Sequence, residues 1–390
     1  MRIGVDAACW QNTRGYGRHA RALLTALVRL NAENQYTFFT DSTQSQITIP
    51  AEAAVRMVYS TTPTVVAASA NGHRSTGDMW RMSRAMSDPA LDIVLFPTVY
   101  SYVPVFGRSK KLVMIHDVIA EKYPNATLPT LRARLFWKTK VSLACWQADA
   151  IATVSEYSRE RILKHFRLSP ERVFVIGEAS DPIFRRLDDP KPSPRLISLG
   201  IARSGRFIVY VGGFSPHKNL ETLIAVFATL SRQSEFHDLR LVMVGEYEKE
   251  IFHSYFGTIK KQVEKFGLAE RVIFTGYLPD DELVVLLNLS TVLVLPSLME
   301  GFGLPAIEAA ASGCPVIATI ESALPRVLGN GAIYINPNRP EDLEQALVRV
   351  LESDDLRRQM RAAGLVAARR LSWGAAARQL IQVMEKVVIQ

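Results

Sequence analysis

The stretch 297–315, SLMEGFGLPAIEAAASGCP, sets two carboxylates, Glu300 and Glu308, eight residues apart in a run with no other charge. Glu300 falls in a loop after the apolar segment TVLVLPS, and Pro305 suits the first turn of a following helix, so Glu308 lies one turn inside it. An unpaired carboxylate among apolar neighbours is expensive to bury, and Glu308 therefore needs a partner. A carboxylate can accept hydrogen bonds from two vicinal hydroxyls, the pattern a ribose or a hexose presents. Its alternative use is to stabilise the helix N-terminus or an adjoining loop. Lys218 follows GGFSPH at the start of another helix, where its charge opposes the positive end of the macrodipole. A diphosphate between the lysine and the helix end would relieve that conflict; a solvated lysine is the plain alternative. His116 ends the apolar strand KLVMIHD, a place for either a structural or a reactive imidazole, and Asp117 beside it could orient the ring or cap the next segment.

Three glycine-bearing turns follow strands: NTRGYGRHA with Gly15 and Gly17, VGGFSPHKNLETL with Gly212 and Gly213, and EGFGLPAIE with Gly301 and Gly303. Glycines let backbone amides approach a phosphate, and a helix start adds partial positive charge. Each of these turns taken singly also serves as an ordinary turn. Gly15-Tyr16-Gly17 lacks the third glycine of a dinucleotide fingerprint, and there is no G-x-x-x-x-G-K-[ST] loop. No D-x-D pair follows a strand to hold a divalent ion on a diphosphate, so the chemistry is expected to need no metal and no cofactor.

The elements that must carry these residues alternate between strand-length apolar runs and helix-length amphipathic segments, which predicts parallel sheets crossed by helices. In the first half the strands are RIGVDA, YTFFT, VRMVYS, DIVLFP, KLVMIHD, AIATVS and VFVIG, with helices such as GRHARALLTALVRL and VSEYSRERILKHF between them. The proline- and charge-rich segment 181–206 reads as an inter-domain connection. The pattern then restarts with FIVYVGG, LRLVMVG, RVIFTGY, TVLVLPS, CPVIAT and GAIYINP. The expected fold is α/β, with two Rossmann-like domains, 1–190 and 191–372. A C-terminal helix, 373–390, presents Leu380, Val383, Met384 and Val387 and rejoins the first domain.

Composition is ordinary for a globular chain of 390 residues, 48% apolar and 22% charged. Three dispersed cysteines, Cys9, Cys145 and Cys314, have neither metal nor disulfide spacing. The longest uncharged run, 283–299, is interrupted by Asn288, Ser290, Thr291 and Pro296 and parses as a short helix plus a buried strand. MRIGVDAACW reads as a strand rather than a signal segment, and the expectation is a cytoplasmic protein. The net charge of +8 is concentrated in residues 1–180, which hold 22 Lys and Arg against 14 Asp and Glu; residues 207–390 hold 18 against 21. No Lys/Arg run exceeds two residues and no nucleic-acid motif appears, so nucleic acid is not expected as a partner. A phosphorylated substrate or an anionic membrane surface fits the basic half better. LPTLRARLFWKTKVSLACWQ is its best membrane candidate, although Arg132, Arg134, Lys138 and Lys140 do not share one helical face; a mostly buried helix with snorkelling basic ends is the alternative.

EGFGLPAIEAAASGCPVIA resembles the E-x7-E signature of family 4 (group 1) retaining glycosyltransferases. MIHDVIAEKYP, TVSEYSRERI, YVGGFSPHKNLETLI, TGYLPDDEL and the C-terminal LSW helix follow in the order of that family, so the resemblance spans essentially the whole chain. It implies the GT-B fold, with the two domains facing across a cleft, and a catalytic set of His116, Lys218 and Glu300. Glu300 would hold donor-sugar hydroxyls, with the amides of Phe302, Gly303 and Leu304 near the sugar and diphosphate. Glu308 would hold the ribose, Lys218 would neutralise the diphosphate, and Gly15 and Gly17 would assist from the other domain. His116 would sit beside the anomeric carbon, and Gly276, Tyr277 and Leu278 would border the base. Many members carry an arginine where this chain has Gly213, so a second cation must come from elsewhere, Arg14 or Arg18 being the candidates. The implied reaction moves a hexose from a nucleotide sugar, GDP-mannose or a UDP-sugar, to a glycan or lipid-linked acceptor. The enzyme would act in surface-polysaccharide synthesis, on the inner face of the plasma membrane, and domain closure would exclude water. A nucleotide-sugar epimerase and a non-catalytic sugar-nucleotide-binding subunit are the readings from other classes; a phosphorylase would need a pyridoxal lysine block, which is not visible.

Overall fold

The computed structural model describes residues 1–12, 15–41, 48–64, 75–128, 130–201, 205–247 and 255–389. It divides into two compact units, Met1–Glu178 with Ser372–Gln390, and Ala179–Leu371.

The first unit is built on a sheet in the order β3-β2-β1-β4-β5-β6-β7, every pairing parallel. Its strands are β1 (Arg2–Asp6), β2 (Gln35–Asp41), β3 (Ala54–Val58), β4 (Ile93–Phe96), β5 (Lys110–Met114), β6 (Ala150–Thr153) and β7 (Val173–Val175). The central strands read as unbroken apolar runs because helices cover both faces; all four residues of β4 and of β6 are buried. The helix Gly15–Leu30 buries Leu23, Leu24, Leu27 and Val28, the spacing of one helical face. Against it packs the C-terminal helix Trp373–Ile389, which buries Ala376, Ala377, Leu380, Val383, Met384 and Val387. Each large apolar side chain so buried contributes about 2 kcal/mol. That contribution explains why a segment at the far end of the chain belongs to the first unit.

The second unit repeats the plan in the order β10-β9-β8-β11-β12-β13, again all parallel. Here β8 is Arg206–Val211, β9 Leu239–Val244, β10 Val272–Gly276, β11 Val292–Leu295, β12 Val316–Thr319 and β13 Ala332–Ile335. The uncharged run 283–299 divides as its polar interruptions require, into the helix Asp280–Leu289 and the strand β11. Among the described residues no helix is long and apolar enough to cross a membrane.

The connection expected at 181–206 is placed differently. The boundary between the units falls after Glu178, and the segment that follows packs on the second unit. Phe184, Leu196 and Ile201 are buried. The Leu187 amide donates to Asn288 Oδ1 (2.9 Å), and Asn288 Nδ2 donates to the Arg185 carbonyl (2.9 Å). Prolines and charges make the segment look like a linker, but these apolar anchors hold it down.

Candidate functional site

In an open parallel sheet, ligands bind beyond the carboxyl ends of the strands where the strand order reverses. In the second unit that point lies between β8 and β11. From β8 the chain passes through Gly212 and Gly213 into a 3-10 turn, Pro216–Lys218, and then the helix Leu220–Ser231. Asn219, between turn and helix, adopts φ 56°, in the left-handed region that asparagine tolerates better than most residues. Its side chain locks the loops together: Nδ2 donates to the carbonyls of Pro296 (3.1 Å) and Pro337 (2.9 Å), and Oδ1 accepts from Thr222 Oγ1 (2.8 Å). The Leu298 amide donates to the His217 carbonyl, tying the β11 loop to the same turn.

This frame brings Lys218 and Glu300, 82 residues apart, into direct contact: Lys218 Nζ donates to Glu300 Oε1 at 2.8 Å. The same oxygen accepts from Ser297 Oγ (2.6 Å), and the Glu300 amide donates to the Glu321 carbonyl (3.0 Å). Both side chains are mostly covered, 20% and 12% exposed. The conflict between Lys218 and the helix dipole, expected to require an anion, is thus met by Glu300. A preorganised cation with a carboxylate at its side is what the geometry provides.

Gly303 precedes the helix Leu304–Ala311 with φ 89° and no side-chain cap. A Cβ there would lie 2.8 Å from Leu324 Cδ1, so glycine is required for space as well as for conformation. The uncapped helix start sits next to the loop that carries Glu300. Glu308 is 2% exposed on that helix, beside Ala306, Ile307, Ala309 and Ala310. Phe302 is buried. Gly276, at φ 68°, closes β10 with Leu278 buried and Tyr277 half exposed. A Cβ on Gly276 would lie 3.9 Å from the Tyr247 ring, which stacks on Phe256 with centroids 4.1 Å apart. That aromatic pair was not anticipated; its members, nine residues apart, belong to no recognisable motif. Gly213 accepts from the Tyr210 hydroxyl (2.6 Å).

In the first unit the strand order reverses between β1 and β4. Gly15 and Gly17, read as loop glycines, form the first turn of a helix instead, and they differ in kind. Nothing lies within 4 Å of a Cβ on Gly15, whereas one on Gly17 would lie 2.0 Å from the Asn12 carbonyl oxygen. Gly17 therefore permits close packing of the helix on its own loop. Arg14 lies outside the described residues, and Arg18 is half-buried on the same helix.

His116 follows β5 with its Nε2 3.0 Å from the Pro97 carbonyl oxygen, just beyond β4. Asp117 caps the next turn, accepting from the Ile119 amide (2.9 Å). Two residues absent from the sequence-based site join the histidine. Glu178, just after β7, places Oε1 3.7 Å from His116 Nδ1 and 2.7 Å from His19 Nδ1. The rings of His19 and His116 meet edge to face at 4.6 Å, and Trp373 meets His19 likewise at 5.2 Å. Burial opposes charge on Glu178, but the two histidines overcome it and hold the carboxyl down at about 2. Burial holds His19 below the usual histidine range, against the pull of Glu178. Burial also opposes charge on His116, but Glu178, the Pro97 carbonyl and Asp117 together raise it. Glu178, His19 and His116 offer ligand atoms within 4.8 Å of one another. The 2.7 Å separation is nevertheless a direct contact, shorter than the roughly 3.3 Å between ligands sharing a tetrahedral ion. The donor set does not fit a metal without rearrangement.

Nearby, the rings of Tyr16 and Tyr100 stack at 5.0 Å, and Tyr100 meets Trp137 at 5.0 Å. Trp137 Nε1 donates to Glu121 Oε1 (2.7 Å), and burial pushes that carboxyl up to about 7. All three cysteines are buried and free.

Residues 13–182 match the family described as Glycosyltransferase Family 4, and residues 197–366 match Glycosyl transferases group 1. The chain is 26% identical to the serotype-specific mannosyltransferase WbdA of Escherichia coli, over 98% of this chain and 48% of that protein. It therefore spans about half the length of that relative. Among solved structures it superposes on sucrose-phosphate synthase from Thermosynechococcus elongatus with a TM-score of 0.78 at 19% identity, covering 99% of this chain and 98% of the other. Anabaena HepE, solved in complex with UDP-glucose, superposes with a TM-score of 0.72 at 16% identity, covering 98% and 99%.

Proposed function

Because the chain belongs to the group 1, family 4 glycosyltransferases and has their GT-B fold, we propose that it moves a hexose from a nucleoside diphosphate sugar to an acceptor hydroxyl, retaining the anomeric configuration. The observation that carries this reading is the Lys218–Glu300 pair, held at 2.8 Å beside the uncapped helix start at Gly303. Lys218 and the helix start supply positive charge where the diphosphate departs, the preorganised electrostatic stabilisation that such a reaction needs. Glu300 accepts from hydroxyls of the donor sugar, Glu308 from the ribose, and Gly276, Tyr277 and Leu278 border the base. Amides of Phe302, Gly303 and Leu304 face the sugar and diphosphate, and His116 serves the reacting sugar. The glycosidic bond to the leaving phosphate breaks, the acceptor oxygen bonds to the anomeric carbon on the same face, and the leaving phosphate takes the acceptor proton. Lys218 does the work a divalent ion does elsewhere, so no metal is required.

The likeness to the mannosyltransferase WbdA favours mannose as the sugar, and GDP-mannose with surface polysaccharide as the product class is the reading carried over from the sequence resemblance. A UDP-sugar is the alternative, favoured by the likeness to HepE. Thermal-shift measurements with GDP, UDP and ADP, followed by transfer from GDP-mannose in excess chelator, test both points. GDP should raise Tm most, and transfer should persist in chelator. A shift with UDP alone overturns the donor. Loss of transfer in chelator with recovery on adding manganese or magnesium overturns metal independence. Donor turnover without any acceptor would favour an epimerase.

A lipid-linked acceptor would call for contact with an anionic membrane, and the helix Leu131–Gln147 suits that use. It buries only Val141, Ala144 and Cys145. Leu131, Leu135, Phe136 and Trp146 are exposed, with Arg132 and Lys138 exposed among them, so the alternative of a mostly buried helix does not describe it. Each well-placed cation contributes about 1 kcal/mol at an anionic surface, screened within a Debye length. The protein should pellet with anionic vesicles, less so at high salt, and not with neutral ones. Equal pelleting with both, or none with either, overturns this assignment.

A further inference from the structure

Glu178, His19 and His116 come from three separate elements, and only one of them was anticipated from the sequence. We propose that Glu178, backed by His19, is a positioning residue that holds the His116 ring doubly protonated at the carboxyl end of β5, and that sugar transfer requires this imidazolium. The inference rests on the transferase reading above for its catalytic half; the protonation half stands independently.

The geometry decides where the proton goes. His116 Nε2 faces the Pro97 carbonyl oxygen at 3.0 Å, and Nδ1 faces Glu178 Oε1 at 3.7 Å. Both partners are acceptors. The Nε2 contact is of hydrogen-bond length and the Nδ1 contact is of ion-pair length; a neutral imidazole would turn a lone pair toward one of these acceptors, whereas the cation presents an N–H to each. Glu178 is 8% exposed, and a buried carboxylate is costly without a compensating charge. One positive charge is therefore needed and two histidines are available. His19 is 1% exposed and edge-on to Trp373, and its Nε2 has no partner among the described residues. Its Nδ1 approaches Glu178 closely but off the hydrogen-bond line. A cation on His19 would lie 2.7 Å from Glu178 but would leave its buried Nε2–H without an acceptor, while one on His116, 16% exposed, has an acceptor on each side. Asp117 adds a further negative charge that favours the cation on His116. His19 thus fills the space beside Glu178 in its neutral form and leaves the charge to His116.

The sign of the pH dependence follows. If transfer needs the imidazolium, kcat falls as pH rises through the His116 ionisation, and Glu178 sets how high that limb lies. In Glu178→Gln the limb should move to lower pH by about one pH unit or more, with kcat on the acid side within about threefold of wild type. Glu178→Asp should restore part of the displacement. His19→Gln should leave the limb in place or raise it. A uniform loss of kcat in Glu178→Gln with an unmoved limb overturns the catalytic half, as does a downward move in His19→Gln. Nitrogen-15 NMR of the histidine rings in the unmodified full chain, with His116 assigned by a His116→Gln variant, needs neither donor nor transfer. Both His116 nitrogens should be protonated at pH 7. A single protonated nitrogen there overturns the proposal outright, even if Glu178→Gln fails to fold, whereas absence of transfer with every donor would fault only the transferase reading.

Discussion

Lys218→Ala should lower transfer at least tenfold, about 1.4 kcal/mol or more of transition-state stabilisation, without unfolding the protein. The stability cost should be small, because Lys218 and Glu300 form a partly exposed pair and such pairs contribute about 0–1 kcal/mol. Glu300 also keeps Ser297 Oγ as a donor when the lysine is gone. On the proposed mechanism the catalytic cost is larger, because the ammonium would act where negative charge grows, in a site closed to much of the solvent. Lys218→Arg separates charge from shape: it restores the cation but substitutes a planar fork for a point charge, and it should recover only part of the rate. Lys218 and Glu300 touch, so the double variant should lose less than the sum of the two single losses. Near-normal turnover in Lys218→Ala, with Tm unchanged, would remove the lysine from the mechanism.

Glu308→Ala should also lower transfer at least tenfold, and most of that loss should appear as a raised KM for the donor. A ribose held by Glu308 would be bound in the ground state and the transition state alike, so removing its acceptor would weaken both. At 2% exposure the side chain also fills space, and alanine there incurs a packing cost of its own. Glu308→Gln keeps the volume and one carbonyl oxygen while removing the charge. It should lie between wild type and alanine in KM and close to wild type in Tm. A role confined to stabilising the helix Leu304–Ala311 predicts the opposite pattern, with Tm lowered and donor KM unchanged. That outcome would refute the ribose assignment.

How legible these sites were depends on how local each signal is. The central strands could be read because a parallel strand covered on both faces must be continuously apolar, and VLVL, IVLF and VIAT are. Glu300 and Glu308 stood out because a charge inside an apolar run requires a reason. The helix Leu131–Gln147 was ambiguous: its cations and apolar residues do not segregate, and only the structure shows that Leu135 and Trp146 are exposed. The segment after Glu178 was misplaced because composition reports an average, whereas Phe184 and Leu196 act singly.

The sequence by itself determined the two parallel-sheet units, the amphipathic C-terminal helix, and the positions of Lys218, Glu300, Glu308 and His116 on loops and helix starts. These follow from periodicities of a few residues and from charges out of place, which are local properties. Tertiary structure alone decided which groups meet. Lys218 pairs with Glu300 because β8 and β11 are neighbours in the sheet, although 82 residues separate the two side chains. Glu178 meets His116 and His19 because a strand end, a loop and a helix converge, and nothing in IGEASD announces a buried carboxylate. Gly17 proved a packing requirement because the Asn12 carbonyl lies where a side chain would go. Electrostatic and steric interactions depend on distance in space, and sequence spacing encodes that distance only within one element.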